Sequence, residues 1–258
     1  MVMNDLEKYY NKFNEDKRLL TRHGQVEFTV AKKYLLDIIG DRKNLDIIDI
    51  GAGTGRYSIF LAELGHNVTA IEPVRKNLST IKLKTDKVKA IERNALHLRK
   101  IPSESYDVTL LFGPLYHLFS HEDKLKALNE AKRVTKKGGH ILIMYLMNEY
   151  AMITYAFKEN NIRRCIEENK IDKDFRCITS QSDLYSYVRL EDINNLKNDS
   201  GLTRIKIVGV DGATDYIRPT LNSISEEDFK VFIDYQLSIC ERPELLGASS
   251  HVMDILKK

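Results

Sequence analysis

The chain has 258 residues, 43% hydrophobic and 30% charged, which fits a soluble globular protein large enough for a full core. Its 40 basic and 37 acidic residues leave a formal net charge of +3, which argues against a dedicated nucleic-acid binder. The three cysteines, Cys165, Cys177 and Cys240, are far apart and form no metal-ligand spacing, so they read as reduced thiols and no metal site is expected. The N-terminus lacks an apolar signal core and no run approaches a membrane span, so a cytoplasmic protein without a membrane partner is expected.

Apolar periodicity divides the chain into elements. Residues 4–20 carry Leu6, Tyr9, Tyr10, Phe13 and Leu19 at helical spacing, and Thr21-Arg22-His23-Gly24 reads as a connection. A second helix runs to Ile39 and stops at Gly40, with Val26, Val30, Tyr34, Leu35 and Ile38 as its apolar stripe. Strand one, at 46–50, is followed by glycines at alternate positions (Gly51, Gly53 and Gly55) and by a helical pattern from Ser58. Strand two, 67–71, closes on Glu72-Pro73, and a helix covers 74–85. Strand three, 87–91, leads to Asn94-Ala95-Leu96, and strand four, 107–112, opens into Gly113-Pro114-Leu115-Tyr116-His117. A helix over 122–135 stops in the turn Lys136–Gly139, and strand five is 140–146. Strands that are almost wholly apolar and alternate with helices predict an α/β fold whose mostly parallel sheet has helices on both faces.

Beyond residue 146 the pattern is less regular. One or two helices are expected over 149–170, rich in large residues at their start (Tyr150, Met152, Tyr155, Phe157), and another over 190–197. A strand at 202–210, a helix at 225–240 capped by Ser225, and a last strand at 247–256 complete the chain. A single domain over 1–258 is expected. It has a helical cover at 1–40, a ligand-binding core at 45–146, and a C-terminal half whose segments 147–190 and 211–247 are insertions over the ligand face.

The glycine turn between strand one and its helix lets backbone N–H groups approach a ligand closely. A dinucleotide fingerprint needs a small residue at its sixth position, where this chain has Arg56 or Ser58 depending on register. A phosphate-cradling loop needs Gly-Lys-Ser/Thr, but Gly55 is followed by Arg56-Tyr57. Both phosphate readings are weakened.

What stands there is Asp-x-Gly-x-Gly-x-Gly, from Asp49 to Gly55. This resembles motif I of the class I S-adenosylmethionine-dependent methyltransferases, in particular the small-molecule group. Downstream landmarks extend the resemblance over about 45–145: the acid Glu72 ending strand two, Asn94-Ala95 after strand three, Phe112 to Leu118 after strand four, and Lys137-Gly138-Gly139 before strand five. Asn94 departs from the acidic residue common at that place. The resemblance implies a Rossmann-like seven-stranded sheet in the order 3-2-1-4-5-7-6, its last strand antiparallel. It also implies S-adenosylmethionine as methyl donor and S-adenosylhomocysteine as product.

The implied cofactor contacts are Asp49, Gly51, Ala52, Gly53 and Gly55 in the turn, Glu72 and Pro73 at the ribose, Asn94, Ala95 and Leu96 at the adenine, and Phe112 and Gly113 beyond strand four. Asp49 reads either as a loop-orienting group or as a contact to the methionine part. Arg22 reads as a partner for the methionine carboxylate or as a solvated loop charge. Tyr10 reads as packing or as a residue stacked over the site. His117 is a candidate base, with Tyr116 beside it, or else a helix-start residue bonded to backbone. The resemblance also bears on the acceptor. Phe112-Gly113-Pro114-Leu115 lacks the amide-binding Asn-Pro-Pro pattern of nucleic-acid and glutamine methylation, and no cysteine near strand four suits cytosine C5 chemistry. A small-molecule acceptor of O, N or C type is therefore expected, acted on by a monomer or homodimer without nucleic acid. The alternatives are a nicotinamide-dependent oxidoreductase and a non-catalytic binder of S-adenosylmethionine.

Overall fold

Strand β1 (Asp46–Ile50) shows how the chain builds two cores at once. Side chains alternate across a strand, so Ile47 faces one layer of helices while Ile48 and Ile50 face the other. The computed structural model describes residue 18 and residues 20–258. The helix expected over 4–20, with Tyr10, lies outside these residues except at its end.

Helix α1 (Arg22–Ile39) is followed by β1, α2 (Arg56–Glu63), β2 (Asn67–Ile71), α3 (Arg75–Lys84), β3 (Val88–Ile91), β4 (Tyr106–Leu111), a 3-10 turn (Pro114–His117), α4 (His121–Val134) and β5 (Thr135–Leu146). Then come α5 (Asn148–Ala151), a π-helical stretch (Met152–Lys158), α6 (Ile162–Glu167), α7 (Leu190–Ser200), β6 (Thr203–Gly209), α8 (Arg218–Ser223), α9 (Glu226–Ile239), α10 (Pro243–Leu246) and β7 (His251–Lys257). The seven strands form one sheet in the order β3-β2-β1-β4-β5-β7-β6. Pairing is parallel from β3 to β5, whereas β7 runs antiparallel to both β5 and β6. This is the Rossmann-like topology that the resemblance implies.

One face of the sheet is covered by α1, α2 and α9, with Val30, Tyr34, Leu61 and Phe229 in its core. The other face is covered by α4 and α7 through Leu128, Ala131, Ile193 and Leu196. Met253 and Ile255 of β7 lie in the first core and Val252 and Leu256 in the second. The same alternation puts His251 on the face that α1 covers.

Several boundaries differ from the sequence-based expectation. The segment Arg22-His23-Gly24 is the first turn of α1 rather than a connection, because the Thr21 hydroxyl caps it by accepting the Gly24 N–H. Strand β5 starts at Thr135, where a helix stop and turn were expected at Lys136–Gly139. The register slips between Tyr106 and Val108, and Gly138 takes φ +76° while its N–H donates to the Lys258 carbonyl. That bulge lets the strand continue across the two glycines. The region 149–170 forms a short helix, a π-helical stretch and α6, and the Thr154 hydroxyl donates to the Tyr150 carbonyl at 2.6 Å as the helix widens. Among the described residues, no helix is long and apolar enough to cross a membrane.

Candidate active site

The turn after β1 is shaped by what its glycines permit. Gly51 takes φ +77°, and a Cβ there would stand 2.6 Å from Cδ of Pro114. The chain after β4 can therefore lie directly against the turn. The N–H groups of Gly51 and Ala52 both donate to the Ile71 carbonyl, at 2.8 and 3.0 Å, which ties the turn to the end of β2. The Gly53 N–H donates to the Glu72 carboxylate at 2.8 Å.

Two cavities of about 250 and 240 Å³ meet at Gly51, Gly53 and Gly113. Together they fall within the roughly 300–1,000 Å³ of small-ligand sites. The smaller cavity is bounded by the polar residues Glu72, Asn77 and Asn94 and by Pro73, Ala95 and Leu96. Glu72 is buried there. Burial pushes its carboxyl up to about 7, against the opposing hydrogen bonds from the Val74 and Gly53 N–H groups and Asn77. The Asn94 side-chain oxygen accepts the Leu96 N–H at 3.0 Å and retains a second lone pair. His117 belongs to this compartment, where its Nδ1 lies 2.8 Å from the Leu184 carbonyl. A carbonyl can only accept, so that nitrogen carries the proton, and burial lowers the ring's basicity. The structure thus sets His117 across Gly113 from the second compartment, in a structural contact to backbone.

The second compartment holds Asp49, Ala52, Phe112 and Tyr116 of the expected residues. Asp49 is buried and accepts the Ser58 hydroxyl at 2.6 Å, and burial raises its carboxyl to about 6 despite that bond. Tyr116 is partly buried, and the loss of solvation holds its phenol well above the ordinary range. Phe112 packs edge-on against Tyr57 at 4.9 Å, and the buried Tyr57 hydroxyl has no hydrogen-bond partner among the described residues. A buried hydroxyl on the cavity wall is an unfilled hydrogen-bonding position that suits a bound polar ligand.

Two expected contacts are corrected. Arg22 points away from both cavities: its guanidinium donates to the carbonyls of Leu221 and Ile224 and to Glu226, and it stacks on Phe229 at 5.0 Å. It clamps α8 and α9 to α1. Gly55 lines neither cavity; its φ is +86° and a Cβ would come 2.9 Å from Ile81, so it is a turn and packing glycine.

Sequence reasoning missed the charged wall of the second compartment. Helix α1 contributes His23 and Glu27 one turn apart, and Arg18 just before it pairs with Glu27 at 2.5 Å. Asp215 and Arg218 come from the segment after β6, and His251 from the start of β7. His251 Nδ1 lies 2.5 Å from Asp211, and the nearest donor and acceptor atoms of Glu27, Asp211 and His251 all lie within 4.8 Å of one another. That spacing would also suit a cation, but the Arg18 guanidinium and the imidazole already face the two carboxylates. Glu27 offered one signal, an acid inside the apolar stripe of α1.

The residues in place suit S-adenosylmethionine. A glycine cradle lies beside an acid at a strand end, and a second chamber opens on the other side of Gly51, Gly53 and Gly113. Residues 48–143 match the family described as a methyltransferase domain. A ubiquinone/menaquinone biosynthesis C-methyltransferase from Proteus mirabilis is 31% identical over 125 residues, 45% of this chain and 48% of that protein. A glycine/sarcosine N-methyltransferase from Aphanothece halophytica is 24% identical over 206 residues, covering 74% and 69%. The chain thus spans about half the length of the first of these relatives. Among solved structures, an S-adenosylmethionine-dependent methyltransferase from Archaeoglobus fulgidus aligns with a TM-score of 0.60 at 17% identity, covering 97% of this chain and all of that one. The family match is confined to residues 48–143, and the sheet order and glycine turn described above have the form that such a domain takes.

Proposed function

We propose that the protein transfers a methyl group from S-adenosylmethionine to a small-molecule acceptor. The shared wall of Gly51, Gly53 and Gly113 between two cavities of different chemistry supports this reading. S-adenosylmethionine supplies an activated methyl group on a sulfonium, which needs a nucleophile aligned behind it. Glu72 accepts the ribose hydroxyls, and Asn94, Ala95 and Leu96 bound the adenine. The Gly51–Gly53 backbone and Asp49 face the methionine end. The charged and aromatic chamber beyond, with Tyr116, Tyr150 and His251, receives the acceptor.

Alignment of two bound reactants supplies on the order of 7–11 kcal/mol of such a barrier, so a cavity that only binds and orients contributes most of what is needed. The near-neutral charge of the chain and the size of the chamber, about 250 Å³, favour a small acceptor over nucleic acid. The segments 147–190 and 211–247 act as its cover, through Tyr150, Tyr185, Asp215 and Arg218. Screening amines, phenols, carboxylic acids and quinol-type compounds for release of S-adenosylhomocysteine tests the reading. A small compound that drives stoichiometric release is expected; release only with RNA, DNA or protein would contradict it.

A further inference from the structure

Resting on the methyltransferase reading, a second inference concerns the charged cluster at the far wall of the acceptor chamber. We propose that His251, held by Asp211, takes the proton from an acceptor whose attacking atom carries one (an amine, phenol or imidazole) and that the donor's sulfonium charge readies it to do so.

Asp211 is fixed before any ligand arrives. One of its oxygens accepts the Ser249 hydroxyl at 2.9 Å and the His251 backbone N–H at 2.8 Å, while the other meets His251 Nδ1 at 2.5 Å. A carboxylate bound to Nδ1 sets the tautomer and orientation of an imidazole and leaves Nε2 for chemistry. The ring lines the chamber, and no described residue hydrogen-bonds to Nε2. Its ring centre is 5.7 Å from that of Tyr116, which stands three residues past Gly113 in the shared wall.

The groups facing His251 come from each element packed around it. Glu27 and His23 lie on α1 and Arg18 just before it; Asp211, Asp215 and Arg218 lie after β6; and Tyr116 follows β4. Burial disfavours a charged ring, but Asp211 and Glu27 outweigh it and push His251 up to about 9, with Arg18 partly opposing them. The unliganded ring is therefore an imidazolium at neutral pH and cannot accept a proton.

A cation brought into the same chamber reverses that balance, because like charges in a poorly solvated site disfavour each other. With the sulfonium in place, the proton leaves His251 and Nε2 becomes available. In the transfer itself the acceptor's X–H bond breaks and its proton goes to Nε2. The electron pair on X forms the new bond to the methyl carbon, and the carbon–sulfur pair stays on sulfur as a neutral thioether. The cation is then gone, His251 regains its affinity for the proton, and it releases that proton to solvent when the donor is next bound. The base is strengthened as the methyl group moves.

The pair S-adenosylmethionine and S-adenosylhomocysteine differs by one methyl group and one charge, and tests this without an acceptor. The His251 ring signals would be followed by NMR against pH in the whole chain, free and saturated with each compound. His251→Gln identifies the signals, and through-bond assignment does so if that variant does not fold. The expected result is a high pKa in the free and S-adenosylhomocysteine-bound protein, and a proton affinity at least a hundredfold lower with S-adenosylmethionine, which brings a group at about 9 to neutrality; a smaller drop would leave the ring charged and overturn the readying step. Asp211→Asn lowers the proton affinity in all three states. Equal titration with both bound compounds, or a His251 already neutral at pH 7 when free, would overturn the inference while leaving the methyltransferase reading intact. Failure of both compounds to bind would overturn both.

Discussion

The two halves of the site are built from different materials. The half that holds Glu72 and Asn94 comes from one stretch of the chain, Gly51 to Leu118, and carries glycines and short side chains at the strand ends. The other half adds charged side chains from α1, the segment after β6 and the start of β7, positions more than 200 residues apart, to Asp49, Arg56, Tyr57, Phe112, Tyr116 and the turn from the central stretch. Backbone and glycine are suited to a ligand that never changes. Side chains on separate elements can be exchanged without disturbing the sheet, which suits a chamber adapted to one particular acceptor. The first half should therefore fail through geometry and the second through charge.

The largest effect is expected at Gly51. In Gly51→Ala the new methyl meets Pro114 at 2.6 Å on a backbone of φ +77°. The combined clash and left-handed strain cost on the order of 3 kcal/mol. Chemical denaturation should show that loss, and S-adenosylhomocysteine binding should fall below detection in calorimetry. A stable variant with normal affinity would remove the backbone cradle from the account.

Glu72→Gln comes next. A hydrogen bond to a charged group is worth about 1.5–3 kcal/mol, so affinity for S-adenosylhomocysteine should drop roughly ten- to a hundred-fold. Glu72 also sets a pH dependence. Its carboxyl in the folded protein, at about 7, lies above the ordinary 4.5, so the free folded state binds this proton more tightly than the unfolded chain does. Its ionisation therefore costs the free protein stability above pH 7, and that cost is relieved as the pH falls from 7 toward 4.5. Ligand binding runs the other way, because the ribose hydroxyls donate to the ionised form: affinity should weaken as the pH drops through 7. Glu72→Gln should flatten this component of the profile and leave the free protein at pH 8 no less stable. A wild-type affinity that is constant from pH 6 to 8 would contradict the ribose role.

Arg22 gives the smallest effect on binding and sharpens the comparison by separating scaffold from site. Arg22→Ala removes the donors to Leu221, Ile224 and Glu226 and should cost about 1–3 kcal/mol of stability. Affinity for S-adenosylhomocysteine at 20 °C should change less than twofold. A tenfold loss with unchanged stability would return Arg22 to the methionine carboxylate.

The same division decided what was legible in the sequence. Glu72, Asn94 and the corner Gly113–Tyr116 sit where their strands end, so reading the strands places them. The order of the strands agrees with what the family resemblance implied and could not have come from periodicity. Gly55 shows the limit of a motif: it completes the glycine pattern, yet its conformation serves packing on Ile81. His117 and Tyr116 are adjacent in sequence, but the 3-10 turn sends them into different compartments, which a linear reading cannot resolve. Arg22 reads as a partner for the methionine carboxylate or as a loop charge because Arg-His-Gly resembles a break, and only the Thr21 cap shows the helix beginning there. Glu27, Asp211 and His251 meet only when β7 has paired between β5 and β6 and α1 has packed over it, so no local pattern announces them. The acid on the apolar stripe of α1 was the single trace.

The most direct test of the two-compartment site is calorimetric titration of the wild-type chain with S-adenosylhomocysteine, read together with its thermal unfolding. One molecule should bind per chain, with a stabilisation of about 2.7 kcal/mol at 100 times the dissociation constant and no comparable shift with NADP. Absence of heat and of stabilisation with S-adenosylhomocysteine, or stabilisation by NADP in its place, would contradict it.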